Sequence, residues 1–193
     1  MSHRWWIVIL GIAILITIMM RRTPRSQESY TTFTSQRLGV RFDYPKGWRV
    51  KEITTPSGHV VGEVQIFGPR REDLGYSLYV DVSAESLSGG QLSHSLDEIV
   101  NQWQAIRKQQ PSYAILEEAR LRCGGEPAGR VVAQYELALP LKAVNRKVIM
   151  LKEATAFCLH HGYFFRLSFA APAEDFVRYQ HAFTRLVNSL RFL

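Results

Sequence analysis

Residues 163–190 read YFFRLSFAAPAEDFVRYQHAFTRLVNSL, and the apolar period changes at the proline. Residues 163–170, dense in aromatic side chains, read as a strand. Pro172 then suits a helix start, where its missing N–H costs nothing. Glu174 and Asp175 fall in the first turn, where carboxylates complement the helix dipole. Phe176, Tyr179, Phe183, Leu186, Val187 and Leu190 follow at helical spacing and make a buried face. A strand is thus joined directly to an amphipathic helix.

Upstream of this unit the chain is mostly strand. Further strands are expected at about 114–122, 129–138 and 147–158, with Cys123-Gly124-Gly125-Glu126-Pro127 and His160-His161-Gly162 as hairpin connections. A second helix precedes them. Ser95 and Glu98 have capping-box spacing, Leu96, Ile99, Val100, Trp103 and Ile106 form one apolar stripe, and Pro111 closes the element. Earlier still, Leu38, Val40 and Phe42 alternate with polar residues, and Tyr44-Pro45-Lys46-Gly47-Trp48 turns the chain. Val60–Phe67 and Tyr76–Ala84 are strands, the latter with Leu78, Val80 and Val82 on one side. Gly68-Pro69 and Gly89-Gly90 punctuate between elements. Strands arriving in runs with two separated helices indicate an α+β domain, an antiparallel β-sheet flanked by helices.

The 193 residues leave room for one domain and an appendage, and 46% hydrophobic with 21% charged residues is a globular composition. The formal charge of +7 is unevenly spread: residues 1–25 hold Arg4, Arg21, Arg22 and Arg25 and no acid, leaving 20 basic against 17 acidic residues elsewhere. So small an excess on the domain argues against a nucleic-acid partner. The basic residues of the first 25 flank WWIVILGIAILITIMM, Trp5–Met20, an uncharged run. As a helix it would be about 24 Å long, slightly short of the ~30 Å hydrocarbon core of a bilayer. Arg4, Arg21 and Arg22 extend its reach by snorkelling, and Trp5 and Trp6 suit the interface. A cleaved signal peptide is the rival reading, but Arg-Arg-Thr-Pro-Arg follows in place of a small-residue cleavage site. The expected organisation is an uncleaved signal anchor over 1–22, a polar linker over 23–36 and the α+β domain over 37–193. The lipid bilayer is thus the first expected partner.

Gly39-Val40-Arg41-Phe42-Asp43-Tyr44-Pro45-Lys46-Gly47-Trp48 resembles the opening strand and turn of the PsbP-like family. Tyr163–Phe169, the helix with Phe176 and Phe183, and the ending Ser189-Leu190-Arg191-Phe192 resemble its closing pattern. The resemblance covers about residues 35–193 and leaves the anchor outside. It implies an α/β/α sandwich and a binding scaffold without common catalytic residues. The family includes extrinsic photosystem II subunits, a nuclear-import factor and bacterial membrane- or lipid-anchored proteins, and the anchor sets this chain apart from the photosystem subunits.

Few residues point to chemistry. Cys123 and Cys158 are the only cysteines, and a strand meander would bring them to one edge. They are read either as a disulfide, which would place the domain outside the cytoplasm, or as two buried thiols. Counting charges beside the anchor favours the cytoplasm by about one charge. Cys158, His160 and His161 lack a fourth ligand at metal spacing, and a polar hairpin tip accounts for the histidines. Arg70-Arg71 is a loop open to phosphate, an acidic partner or solvent alone. Trp48, Trp103 and Tyr44 line either a pocket or the core. No nucleophile elbow, P-loop, dinucleotide fingerprint or HExxH is present. The expectation is a single-pass membrane protein with a non-enzymatic binding or assembly domain, leaning extracytoplasmic. It needs no cofactor, has a protein partner, and works through a sheet edge or the loops 53–60, 68–76 and 86–92. Two alternatives stand beside it: a small hydrolytic or ligand-binding domain, and an extracytoplasmic metal- or redox-linked protein using Cys158, His160 and His161.

Overall fold

The computed structural model describes residues 29–53, 60–87, 95–139 and 147–193. The expected anchor, with Trp5, Trp6, Arg21 and Arg22, lies outside them. Among the described residues no helix is long and apolar enough to cross a membrane.

In chain order the strands are β1 (Tyr30–Ser35), β2 (Val40–Pro45), β3 (Arg49–Ile53), β4 (Val60–Arg71), β5 (Tyr76–Ser86), β6 (Ala114–Cys123), β7 (Glu126–Leu139), β8 (Lys147–His160), β9 (Tyr163–Pro172) and β10 (Arg191–Phe192). Helix α1 (Leu96–Arg107) follows β5, helix α2 (Ala173–Ser189) follows β9, and a 3-10 turn (Glu72–Leu74) joins β4 to β5. Seven strands form one antiparallel sheet in the order β3-β4-β5-β9-β8-β7-β6; β1, β2 and β10 form a second, with β2 in the middle.

Side chains alternate between the faces of the large sheet. One face carries Val64, Ile66, Val80, Val82, Ala154, Ala156, Leu167 and Phe169, all nearly inaccessible, and packs against Val40 and Phe42 of β2, Phe176, Phe183 and Leu186 of α2, and Leu190 just after it. The other face carries a smaller apolar cluster, Val131, Phe157 and Phe164, under Ile99 of α1. The result is the expected α+β sandwich of helix, sheet and helix, with a small sheet added to the α2 layer.

Three local expectations change. The stretch read as linker contributes β1: Tyr30–Ser35 pairs with β2 from Tyr30↔Pro45 to Ser35↔Val40, and Phe33 packs on Phe42 at 5.7 Å. Its sequence, YTTFTS, is aromatic and β-branched, which favours a strand; its polarity reflects an edge position. Ile106 is 67% exposed rather than buried. The buried side of α1 carries Ile99 and Gln104, with Leu96, Val100 and Trp103 partly buried. The helix itself ends at Arg107, ahead of Pro111. Its start is as expected, with the Ser95 hydroxyl accepting from the Glu98 N–H at 3.2 Å and donating to the Glu98 carboxylate at 2.9 Å.

Within residues 68–76, expected as a loop, Arg70, Arg71 and Tyr76 belong to the β4–β5 ladder and Glu72–Leu74 form the 3-10 turn. Gly68-Pro69 sits where the β4–β5 register shifts between Phe67 and Arg70. Proline cannot donate to the ladder, so a bulge is the place for it. Gly68 is there because Trp48 lies on it: a Cβ would meet three ring carbons of Trp48 at 2.8 Å. Trp48 in turn packs on Tyr179 of α2, 6.3 Å between ring centroids. Gly68→Ala is expected to destabilise the domain by about 1–3 kcal/mol through this overpacking. Gly129→Ala, whose Cβ would first touch Val100 at an ordinary 3.5 Å, is the control. Urea unfolding of both variants checks this, and equal midpoints would contradict it.

Candidate functional site

Helix α1 packs chiefly on β7 and β8, so its face of the sheet divides in two. Beneath the helix it is apolar. Beyond it, over β4, β5, β9 and β8, the alternation that buries Val80, Val82, Leu167 and Phe169 on the core side turns polar residues to this one. Register aligns them in rows: Gln65, Asp81, Ser168 and Thr155 lie side by side on successive strands, and Phe67, Tyr79, Ala170 and Glu153 on the next row. Ser83, Ser168, Ala170 and Thr155 are small and buried, with the two hydroxyls of Thr155 and Ser168 3.3 Å apart.

Two carboxylates stand on this floor. Asp81 is 7% exposed and Glu153 4%. Arg107, arriving from the end of α1, donates to Glu153 Oε1 at 2.9 Å while its guanidinium lies over Trp103 at 5.3 Å and Tyr135 at 5.8 Å. Arg166 on β9 reaches Asp81 Oδ2 only at 3.4 Å. Each acid therefore uses one oxygen. Asp81 Oδ1, Glu153 Oε2, Arg166 Nε and the Ser83 hydroxyl are buried without a hydrogen-bond partner among the described residues. Glu63 and Tyr135 approach the two acids closely enough to affect them but do not close bonds of normal geometry. Burial pushes the Asp81 carboxyl up to about 7, Arg166 opposing and Glu63 adding to the rise. Burial likewise raises Glu153, against Arg107 and Arg166, and lifts the phenols of Tyr76, Tyr79 and Tyr135, which stay neutral donors. Unpaired buried polar atoms cost about 1–3 kcal/mol each and are few in native proteins. Four of them fall in this one patch, among the described residues.

The other residues singled out in the sequence fall elsewhere. Cys123 on β6 and Cys158 on β8 are fully buried free thiols beside β7. They touch: a hydrogen bond from Cys123, then burial, raises the Cys158 thiol far above its ordinary value. His160 is sandwiched between the rings of His161 at 3.9 Å and Phe192 at 3.8 Å, and its Nδ1 bonds Glu126 at 2.9 Å. Cys158, His160 and His161 do not converge, and among the described residues no group of three or more His, Cys, Asp or Glu is placed to hold a metal ion. His161 and Gly162 have φ of 47° and 81°, the tight hairpin geometry that the polar-tip reading requires. Arg71 is no open phosphate ligand: it bonds Asp73 at 2.9 Å, Glu174 at 2.7 Å and Asp175 at 2.6 Å, locking the 3-10 turn to the start of α2. Trp103 packs edge-on against Phe157 at 5.1 Å, and Trp48 and Tyr44 lie against the main core.

Two open surface grooves lie elsewhere among the described residues. One, of about 410 Å³, runs between α1 and β6–β7, and its charges are mutually satisfied through Arg120–Asp97 and Gln104–Glu118. The other, of about 380 Å³, lies between the small sheet and the end of α2 and is lined by Thr32, Arg41, Asp43, Arg185, Asn188 and Arg191.

The fold is the PsbP-like fold. The chain superposes on the cyanobacterial PsbP (CyanoP) of Synechocystis sp. PCC 6803 with a TM-score of 0.58 at 11% identity, over 89% of this chain and 97% of that one. LpqN, involved in cell envelope biogenesis of Mycobacterium tuberculosis, gives 0.54 at 13% identity over 86% and 91%. The Ran-binding protein Mog1p of Saccharomyces cerevisiae gives 0.52 at 12% over 86% and 96%. Identities this low establish shared architecture alone. No protein-family model and no curated protein sequence matches the chain.

The polar patch has a pH signature. An acid whose folded pKa exceeds its unfolded value holds more protons in the folded state, so stability falls as pH rises between 3.8 and about 7. Glu153 acts in the same sense. Asp81→Asn is expected to shrink the stability difference between pH 4 and pH 8 by about 1–3 kcal/mol. Denaturant titrations at the two pH values check it; an unchanged difference would show that Asp81 does not titrate in this window.

Proposed function

We propose that this chain is a membrane-anchored, non-enzymatic binding or assembly module whose partner-facing surface is the polar side of the large sheet. The observation that carries the reading is the set of buried, unpartnered atoms on Asp81, Ser83, Glu153 and Arg166. A partner would meet this patch through its accessible members, Lys51, Gln65 and the Arg166 guanidinium, and charge-assisted bonds made there are strong when docking shields them from water. One fold neighbour is a Ran-binding protein and another is involved in cell envelope biogenesis, uses that agree with a binding scaffold. Attachment to the bilayer is supported by the uncharged run Trp5–Met20 with its Trp5-Trp6 and Arg21-Arg22 flanks. Placement outside the cytoplasm rests on reading Cys123 and Cys158, two buried thiols that interact, as a pair that would bridge in an oxidising compartment.

Photo-crosslinking residues at Lys51 and Gln65, which share the row of Asp81, test the surface in intact cells. They are expected to give a discrete adduct that Val177, exposed on α2 on the other side of the sheet, does not. Indistinguishable adducts from both sides would refute the assignment. Carbonate extraction tests the anchor separately: the full chain stays in the membrane pellet. Acid-quenched, denatured alkylation without reductant is expected to leave both cysteines unlabelled; two labels place the domain among reduced thiols.

A further inference from the structure

The groove between the small sheet and the end of α2 has an electrostatic imbalance. On β2, Val40 and Phe42 point into the core and Arg41 and Asp43 point out. Arg191 on β10 is the direct cross-strand partner of Arg41. Like charges placed opposite each other on an antiparallel ladder repel unless something anionic lies between them. Arg185 of α2 is the third guanidinium in the groove, and Asp43 is its one carboxylate. That carboxylate is already engaged: Arg185 donates to it at 2.6 and 3.0 Å, and the Thr32 hydroxyl at 2.8 Å. Arg191 is held in place by two bonds from Nη1, to the Leu190 carbonyl at 2.6 Å and the Asn188 carbonyl at 3.2 Å, which leave its Nε and Nη2 donors for a ligand. Arg41 and Arg191, cross-strand neighbours and both exposed, thus present two guanidinium groups, the side chain best suited to phosphate oxygens.

The chain's own course says which phosphate is near. Tyr30, the first residue of β1, lies under the Arg185 guanidinium at 5.6 Å, and Thr32 lines the groove. The domain is therefore entered along the groove wall. Between Met20, the end of the apolar run, and Tyr30 stand only RRTPRSQES, a segment that spans at most about 36 Å however it is arranged. An inserted Trp5–Met20 keeps Tyr30 within that distance of a headgroup layer, with Arg41 four ladder positions further along β1–β2, and the tether adds three arginines of its own.

We propose that Arg41 and Arg191 form a docking site for the phosphate of an anionic phospholipid headgroup, seating the domain on the bilayer that its N-terminal segment enters. The choice of a lipid phosphate rests on the membrane-anchored reading; the anion site itself rests on the groove.

The test uses the full chain with a fluorophore at Asn188→Cys on the exposed groove rim, in vesicles carrying a headgroup-nitroxide quencher. Vesicles of phosphatidylcholine with 30% phosphatidylglycerol are compared with pure phosphatidylcholine. Quenching is expected in the anionic vesicles, lost at 1 M salt, and reduced about 30-fold in apparent affinity by Arg41→Gln/Arg191→Gln, at about fivefold per basic residue. Circular dichroism confirms that the variant is folded, and Arg41→Gln alone gives an intermediate value. Equal quenching in both lipids, or a variant indistinguishable from the parent, overturns the proposal. Displacement by low-millimolar inorganic phosphate overturns the lipid as occupant. Carbonate extraction of the same vesicles separates the two readings. A chain that inserts but shows no arginine-dependent quenching keeps the anchor and loses the site; one that fails to insert yet binds anionic vesicles through the arginines does the reverse.

Discussion

The pairing of β5 with β9 is the constraint on which the rest of the structure depends. Eight residue pairs, Tyr79↔Ala170 to Ser86↔Tyr163, join the N-terminal strands β3-β4-β5 to the C-terminal strands β6 to β9. Every other neighbouring pair in the large sheet is consecutive along the chain. Without this seam there are two meanders, each too narrow to cover α2 and the small sheet. It is also the costliest contact to form, because closing a loop of some eighty residues precedes any reward. What compensates is what the seam buries on the core side: Val80 beside Phe169 and Val82 beside Leu167, all nearly inaccessible.

The same register assembles the polar patch. Because side chains alternate, placing Val80 and Val82 in the core forces Asp81 and Ser83 onto the opposite face beside Ser168 and Arg166. Core and site are therefore not independent, since a one-residue slip at the seam would exchange them. The hydrophobic face specifies the register to within one residue, and the register positions two buried acids on strands two places apart. That is why a cluster costly in itself is tolerated: the apolar half of the same strands offsets it.

Much of the architecture was legible from residue pattern. The capping box at Ser95, the alternation through Leu78, Val80 and Val82, and the face from Phe176 to Leu190 each report a local preference that the packing then uses. Two kinds of feature were not legible. Edge strands such as β1 present one face to water, so the polarity of YTTFTS masks its aromatic and β-branched strand preference until the pairing with β2 is seen. Constellations across strands are hidden for a different reason. Asp81 reads in YVDVS as an ordinary solvent-facing residue, and Glu153 in KEATA likewise, because each is polar at a position where polarity is expected. Their burial follows from the breadth of the sheet and from Arg107 reaching over from α1. Arg71, read as a free basic loop, is likewise closed by acids more than a hundred residues away.

The topology also ties attachment to presentation. β2 sits between the first strand and the last, so the chain enters and leaves the domain on one small sheet. That sheet packs, through Val40 and Phe42, on the core face of the large sheet, whereas Asp81 and Glu153 lie on the other. A domain seated on a bilayer through Arg41 and Arg191 would thus carry its polar face on the side of the sheet away from the lipid. Entry along the groove wall fixes the sense of that arrangement, because β1 and the arginines belong to the same layer. Membrane contact and partner contact then use opposite faces of one sheet, and neither has to compete with the other for surface.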